Sequence, residues 1–297
     1  MDGPVLVEET SPDLSAVRGL SAEVRALSRA AEAVDGVAPL SEPVLLALRE
    51  GDGRHIVARR DGRLLGYAYL AADGGGELVV HPDARRQGVG GALLDALERT
   101  GVRQVWAHGR RPAALAFAAA RGYTAVRTLW QLRRPLTGDL PDEPMPAGTA
   151  LRAFVPGRDE QAWLAVNARA FAGHPEQGSW TLRDLLAREA EPWFDAAGFL
   201  LAEHPDGTLA GFHWTKVHPG PPPVGEVYVL GVDPSAQGLH LGPALTVAGL
   251  RHLRGRGLDS VLLYVDDDNP RAVHLYRKLG FTEWDADVQF RRPGPAV

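Results

Sequence analysis

Apolar positions along this chain recur in two periods that take turns. Arg54 to Ala71, RHIVARRDGRLLGYAYLA, holds two short apolar runs joined by Asp61-Gly62, which predicts a β-hairpin, and GGGELVVHP (Gly74 to Pro82) predicts a third strand. The period then lengthens: RRQGVGGALLDAL (Arg85 to Leu97) turns at glycines and becomes an amphipathic helix running to about Arg99. The same succession returns later. GFLLAEHPDGTLAGFHWTKV (Gly198 to Val217) is a hairpin around Asp206-Gly207, VGEVYVLGVDP (Val224 to Pro234) is a third strand, and QGLHLGPALTVAG (Gln237 to Gly249) is a turn into a helix.

Setting Val80-His81-Pro82 on Val232-Asp233-Pro234 aligns the two turn-helix segments without a gap. Helical patterns precede each set, and a strand, a short helix and a Gly-aromatic pair close it, so the chain is an internal repeat. Between the copies, RRPLTGDLPDEPMPAGTA (Arg133 to Ala150) carries four Pro and two Gly with no apolar period and reads as a connection. The expected domains are 1–135 and 150–297, joined by 136–149. Alternating strands and helices predict an α/β fold in each: a mixed, largely antiparallel sheet flanked by helices.

Composition narrows the chemistry. The absence of cysteine excludes disulfides, thiolate nucleophiles and Cys-ligated zinc, leaving oxygen and nitrogen groups to work with. A formal net charge of −5 with interspersed Lys and Arg offers no basic face for nucleic acid. No apolar run approaches the roughly 20 residues that span a bilayer. Met1 to Thr10 is acidic and lacks the basic flank and apolar stretch of a secretory signal, so the expected location is the cytoplasm. The ten His residues form no ligand-spaced cluster with carboxylates, so no metal is expected.

A strand followed by Arg85-Arg86-Gln87-Gly88-Val89-Gly90 and a helix aims backbone N–H groups and the positive helix end at one point, an anion site suited to pyrophosphate. The arrangement Arg/Gln-x-x-Gly-x-Gly resembles the signature of the GCN5-related N-acetyltransferase (GNAT) superfamily, which holds acetyl-CoA there. NPRAVHLYRKLGF (Asn269 to Phe281) resembles that superfamily's second signature, Asn-x-x-Ala-x-x-x-Tyr-x-x-x-Gly-Phe. The resemblance implies two GNAT domains in tandem. The second copy departs from the first signature at His240, which stands where Gly is usual and would crowd the phosphates, donate to them or turn to solvent.

Acetyl transfer to an amine needs a base to take the amine's proton, donors for the thioester oxygen and an acid for the departing thiolate. Glu226 heads the third strand of the second copy and is the candidate base; Leu230 and Val232 lie where the superfamily's strand splays around the acetyl carbonyl, and Tyr276 is the signature tyrosine placed to protonate sulfur. On ungapped alignments Glu226 falls opposite Gly74, and Tyr276 opposite Ala118. The first copy is therefore expected to be catalytically inactive.

Longer stretches, among them VDGVAPLSE (Val34 to Glu42), NARAFAGHPEQGSW (Asn167 to Trp180) and GFHWTKVHP (Gly211 to Pro219), resemble the mycothiol synthase family of tandem acetyltransferases over nearly the whole chain. Its members acetylate the cysteinyl amine of cysteinyl-glucosaminyl-inositol in their C-terminal domain. The resemblance implies substrate contacts at Glu42, Glu176, Lys216, Glu226 and Tyr264. Glu42, from the first copy, would put the substrate between the domains. The resemblance also assigns acetyl-CoA contacts to Leu78, Val79, Val80, Arg86, Gln87, Gly88, Val89, Gly90 and Gly91 in the first copy. In the second they are Leu230, Gly231, Val232, Gln237, Gly238, Leu239, His240, Leu241, Gly242, Pro243, Asn269, Pro270, Arg271, Ala272, Val273 and His274. A monomer with a small-molecule amine substrate is the expected state. The alternatives are a tandem acetyltransferase for another small amine or a protein N-terminus, and a non-catalytic acetyl-CoA sensor.

Overall fold

The computed structural model describes residues 4–10, 14–71, 74–174 and 177–293, without the side chains of 14–18. The chain folds as two compact units: Met1–Leu129 with Asp285–Val297, and Trp130–Trp284. Each is an α/β unit of the kind the repeat predicts. Among the described residues no helix is long and apolar enough to cross a membrane.

The first unit contains β1 (Leu6–Glu9), α1 (Leu14–Asp35), α2 (Glu42–Glu50), β2 (Arg54–Arg60), β3 (Arg63–Leu70), β4 (Gly75–Val80), α3 (Val89–Arg99), β5 (Gln104–Ala107) and α4 (Pro112–Ala120). The strands run in the order β1-β2-β3-β4-β5, and only β4 and β5 pair in parallel. Strand residues are apolar at consecutive positions because both sheet faces are covered. Ile56 and Ala58 face Val89, Leu93 and Leu97 of α3, whereas Val57, Tyr67 and Val79 join Leu20, Val24 and Leu27 of α1 and Val44 and Leu48 of α2. The last residues of the chain complete this unit: Gln104 to Ala107 pair antiparallel with Arg291 to Val288.

The second unit contains β7 (Ala150–Ala153), α5 (Glu160–Ala170), α6 (Leu182–Glu189), β8 (Phe199–Glu203), β9 (Leu209–His218), β10 (Val224–Val232), α7 (Leu241–Gly255), β11 (Ser260–Asp266) and α8 (Pro270–Lys278). The unit boundaries fall inside β6 (Thr124–Pro135) and β12 (Thr282–Arg291). The order is β6-β11-β10-β9-β8-β7, with β10 and β11 parallel. On one face Val227, Val261 and Leu263 pack on α7 and α8 through Val247, Leu250 and Tyr276. On the other, aromatic rings form a slab: Phe154 and Trp214 each stack on Phe199 at 4.3 Å, and Trp163 meets Phe199, Phe212 and Trp214 edge-on. Such pairs are worth about 0.5–1.5 kcal/mol each beyond area burial, which makes this face a rigid floor.

Segment 136–149, expected as a connection, packs within the second unit. Leu136 is fully buried and its N–H donates to the Asp259 carbonyl at 2.8 Å, while Arg251 of α7 pairs with Asp142 at 3.3 Å. The prolines remove backbone donors, so side chains and isolated main-chain bonds hold the segment without a strand or helix.

Candidate active site

β10 determines the geometry. It pairs with β11 only from Gly225↔Val261 to Val227↔Leu263, although both strands continue to Val232 and Asp266. Beyond Val227 the two diverge. On its other edge β10 stays paired with β9, except for a β-bulge between Val227 and Val229 that leaves Tyr228 as the extra residue. Cross-strand partners share a face, so Glu226 stands beside Lys216 and Val229 beside Trp214, and the bulge keeps Tyr228 on this same face against Trp214 at 5.3 Å.

That face is polar and aromatic. The Glu226 carboxylate, 7% exposed, lies 2.6 Å from Nε2 of His218, the last residue of β9. Lys216 is buried, with its ammonium 4.5 Å from the ring centre of Trp193 and 4.9 Å from that of Tyr228. Cation–π contacts of this kind, worth about 0.5–2 kcal/mol, help offset the desolvation of the charge. The Tyr228 hydroxyl accepts from Arg188 Nε at 2.8 Å, and the Arg188 guanidinium lies 3.8 Å over Trp180. Arg188 is held there by α6, whose start is fixed by a capping box between Thr181 and Asp184.

β11 contributes two more groups. Val261, Leu263 and Val265 point into the α7/α8 core, so Tyr264 and Asp266 lie on the Glu226 face. The Tyr264 hydroxyl accepts from Gln131 Nε2 at 3.0 Å, and Asp266 lies 3.3 Å from His174. Asn167 and Gln177 are joined by two bonds at 2.7 and 3.1 Å. Glu176 lies outside the described residues.

Tyr276 is on the opposite face. It is buried on α8 beside Phe281, and burial pushes its hydroxyl, protonated at neutral pH like any phenol, up to about 12. Base and acid candidates thus lie on opposite faces of the second unit's sheet, Glu226 with Lys216 on one and Tyr276 with Val227 on the other.

Past the diverging strand, Gly238 and His240 both take left-handed backbone conformations, φ +90° and +59°, and α7 begins at Leu241. The first turn of a helix leaves N–H groups without intrahelical acceptors, which is what a pyrophosphate needs. The His240 side chain is exposed; its cost is a left-handed non-glycine backbone, about 1–2 kcal/mol. In the first unit the left-handed positions are Arg86 (φ +63°) and Gly88 (φ +84°), ahead of α3. Each turn therefore uses two left-handed residues of which only one is glycine. β4 likewise pairs with β5 only through Glu77↔Trp106, leaving Leu78, Val79 and Val80 past the last pair. Asn269 caps α8, accepting from the Ala272 N–H at 3.1 Å, and Pro270 to His274 form its first turns.

The strand register revises one comparison between the copies. Counting back without a gap sets Glu226 opposite Gly74, but Glu226 pairs with Leu262 and Glu77 with Trp106. These partners correspond when Gly257 after α7 is set on Gly101 after α3. Glu77 is therefore the counterpart of Glu226, and the count fails because β10 is longer between its Glu and the following Asp-Pro. Glu77 is not free: its oxygens accept from the Ser41 N–H at 2.8 Å and the Ser41 hydroxyl at 2.6 Å, and His108 Nε2 lies 3.1 Å away. His108 Nδ1 is 2.8 Å from Asp287, which also accepts from the Gly109 N–H. Burial opposes the charge on His108, but Glu77 and Asp287 outweigh it and lift its pKa to about 10.

Of the expected substrate contacts, the second unit brings Lys216, Glu226 and Tyr264 onto one face. Glu42 belongs to the first unit, at the start of α2, directly after the Ser41 that bonds Glu77. His218, Tyr228, Arg188 and Trp193 were not singled out by motif. GFHWTKVHP contains His218 and GEVYVLGVDP contains Tyr228, yet only the hairpin register and the bulge show that both meet the Glu226 face.

The Acetyltransferase (GNAT) family profile matches residues 162–281, and the Acetyltransferase (GNAT) domain profile matches residues 51–125. A protein named mycothiol acetyltransferase from Thermomonospora curvata is 58% identical over 281 residues, covering 92% of this chain and 94% of that one. Another of the same name from Thermobispora bispora is 56% identical over 97% of this chain and 99% of its own length. Among solved structures, a tandem GNAT protein from the clavulanic acid biosynthesis pathway superposes with a TM-score of 0.71 at 21% identity, covering 99% of this chain and 100% of that one.

Proposed function

The chain belongs to the mycothiol acetyltransferase family, with two GNAT domains in tandem, and we propose that it acetylates the cysteinyl α-amine of cysteinyl-glucosaminyl-inositol, yielding mycothiol and CoA. Acetyl-CoA supplies the acyl group as a thioester. The observation that carries the reading is the placement of one buried carboxylate, Glu226, on a polar-aromatic face where β10 parts from β11.

Glu226 takes the proton that the acceptor ammonium must lose before its nitrogen can attack. Lys216 and Tyr264, with Glu176, bind the hydroxyl-rich acceptor. The backbone of Leu230 to Val232, unpaired with β11, holds the thioester end. Gln237 to Pro243 hold the pyrophosphate, and Asn269 to His274 line the same site. Tyr276, protonated at neutral pH, donates to the departing sulfur. The first unit keeps a phosphate turn at Arg86 to Gly91, but its carboxylate Glu77 is consumed by Ser41 and His108, and Ala118 stands opposite Tyr276. Its role in this reading is structural, without turnover. The protein works in the cytoplasm as a monomer.

Steady-state kinetics of Tyr276→Phe test the assignment of acid and site together. The expected result is a kcat lowered by about 10- to 100-fold with the KM for acetyl-CoA within threefold of wild type. An unchanged kcat would remove Tyr276 from the chemistry.

A further inference from the structure

We propose that His218 is the outlet through which Glu226 releases the proton it takes from the acceptor amine; this rests on the reading of Glu226 as the base. The Glu226 carboxylate is 7% exposed, so a proton that lands on it has little direct access to water. His218 Nε2 is 2.6 Å from Glu226 Oε2, and the His218 side chain is 40% exposed. One edge of the ring thus meets the buried carboxylate while the rest reaches solvent. Lys216, the other basic residue of β9 on this face, has its ammonium over the rings of Trp193 and Tyr228. Arg188 is turned to the Tyr228 hydroxyl and Trp180. Both are buried, so neither reaches solvent as the His218 ring does.

The proton moves in three balanced steps. An ammonium N–H bond breaks as an O–H bond forms on Glu226, leaving the amine neutral. The O–H bond then breaks as Nε2–H forms on His218, which restores the carboxylate and makes the ring an imidazolium. The imidazolium loses its Nδ1 proton to water, and the neutral ring donates Nε2–H to the carboxylate until exchange with water resets the tautomer. The hydrogen bond alone would orient Glu226; the ring's second nitrogen is what carries the proton away.

Two variants of the whole enzyme separate these roles. His218→Gln retains an N–H donor for Glu226 but cannot carry a proton, and His218→Ala leaves room for imidazole from solution. Both are expected to lower kcat at least tenfold, with KM values for acetyl-CoA and for the acceptor within threefold of wild type. Added imidazole is expected to restore His218→Ala activity in a concentration-dependent way and to leave His218→Gln unchanged. Wild-type kcat in His218→Gln, or no response of His218→Ala to imidazole, would overturn the proposal. Glu226→Gln assayed in parallel tells the two readings apart: if it keeps wild-type kcat, the base assignment itself is wrong. If it is inactive while His218→Gln is fully active, only the outlet falls.

Discussion

Replacing His108 with Asn should cost the first unit a large share of its stability, and the cost should vanish on the alkaline side. His108 sits between Glu77 at 3.1 Å and Asp287 at 2.8 Å, and its side chain is 12% exposed. Its pKa rises from 6.5 to about 10 on folding. A raised folded pKa contributes stability that is complete below the unfolded value and is lost as pH climbs toward the folded one, so the window runs from 6.5 to about 10. At about 1.4 kcal/mol per pH unit the full contribution is about 4–5 kcal/mol, of which roughly 3 remains near pH 7.5 and roughly 1 near pH 9.5. Breaking one member of a buried ion network costs a comparable 3–5 kcal/mol or so. Hydrogen exchange resolved by peptide, corrected for the intrinsic rate, reads this directly in β4 and β5. Wild-type protection there should fall tens-fold between about pH 7.5 and 9.5, and His108→Asn should start low and stay flat. Equal pH slopes in the two proteins would refute the charge assignment.

The second unit should respond on the acid side instead. His213 is fully buried against α7, burial holds its pKa at about 4, and Nδ1 bonds the Leu245 carbonyl at 2.7 Å. A depressed histidine pKa means stability present above 6.5 and lost as pH falls toward 4, about 3 kcal/mol in all, so exchange in β9 should rise below about pH 6. Gly249→Ala should destabilise the same contact by at least ~1–3 kcal/mol in urea denaturation, because a Cβ at Gly249 would lie 2.0 Å from the His213 ring. Glu226→Gln should lower kcat by about 10²- to 10⁴-fold while leaving the acetyl-CoA KM near wild type. His240→Gly should change that KM by less than about threefold, since its exposed side chain costs backbone strain rather than contacts.

The sequence carried the repeat, the two hairpins and both phosphate turns because these are local: dipeptide turns and periodicity need only neighbouring residues. Non-local pairing is where it stopped. Nothing in Asp285 to Arg291 distinguishes a strand that stays with the second unit from one that pairs with Gln104 to Ala107 of the first. The bulge at Tyr228 is silent in VGEVYVLGV, and the ungapped count across that strand set Glu226 against Gly74 and hid Glu77. His218 read as the end of a family stretch, because its contact with Glu226 exists only once β9 folds back on β10. Tyr276 was legible as a signature residue; its burial, which pushes the hydroxyl up to about 12, was not.

Release of CoA thiol by the wild-type enzyme tests most directly whether the second unit acetylates one particular amine. With acetyl-CoA as donor, cysteinyl-glucosaminyl-inositol, glucosaminyl-inositol and a peptide amine would be compared as acceptors. Rapid turnover confined to the cysteinyl compound, with acetylation on its α-amine, is the predicted result. Equal turnover on the compound lacking the cysteinyl group, or on the peptide, would contradict it.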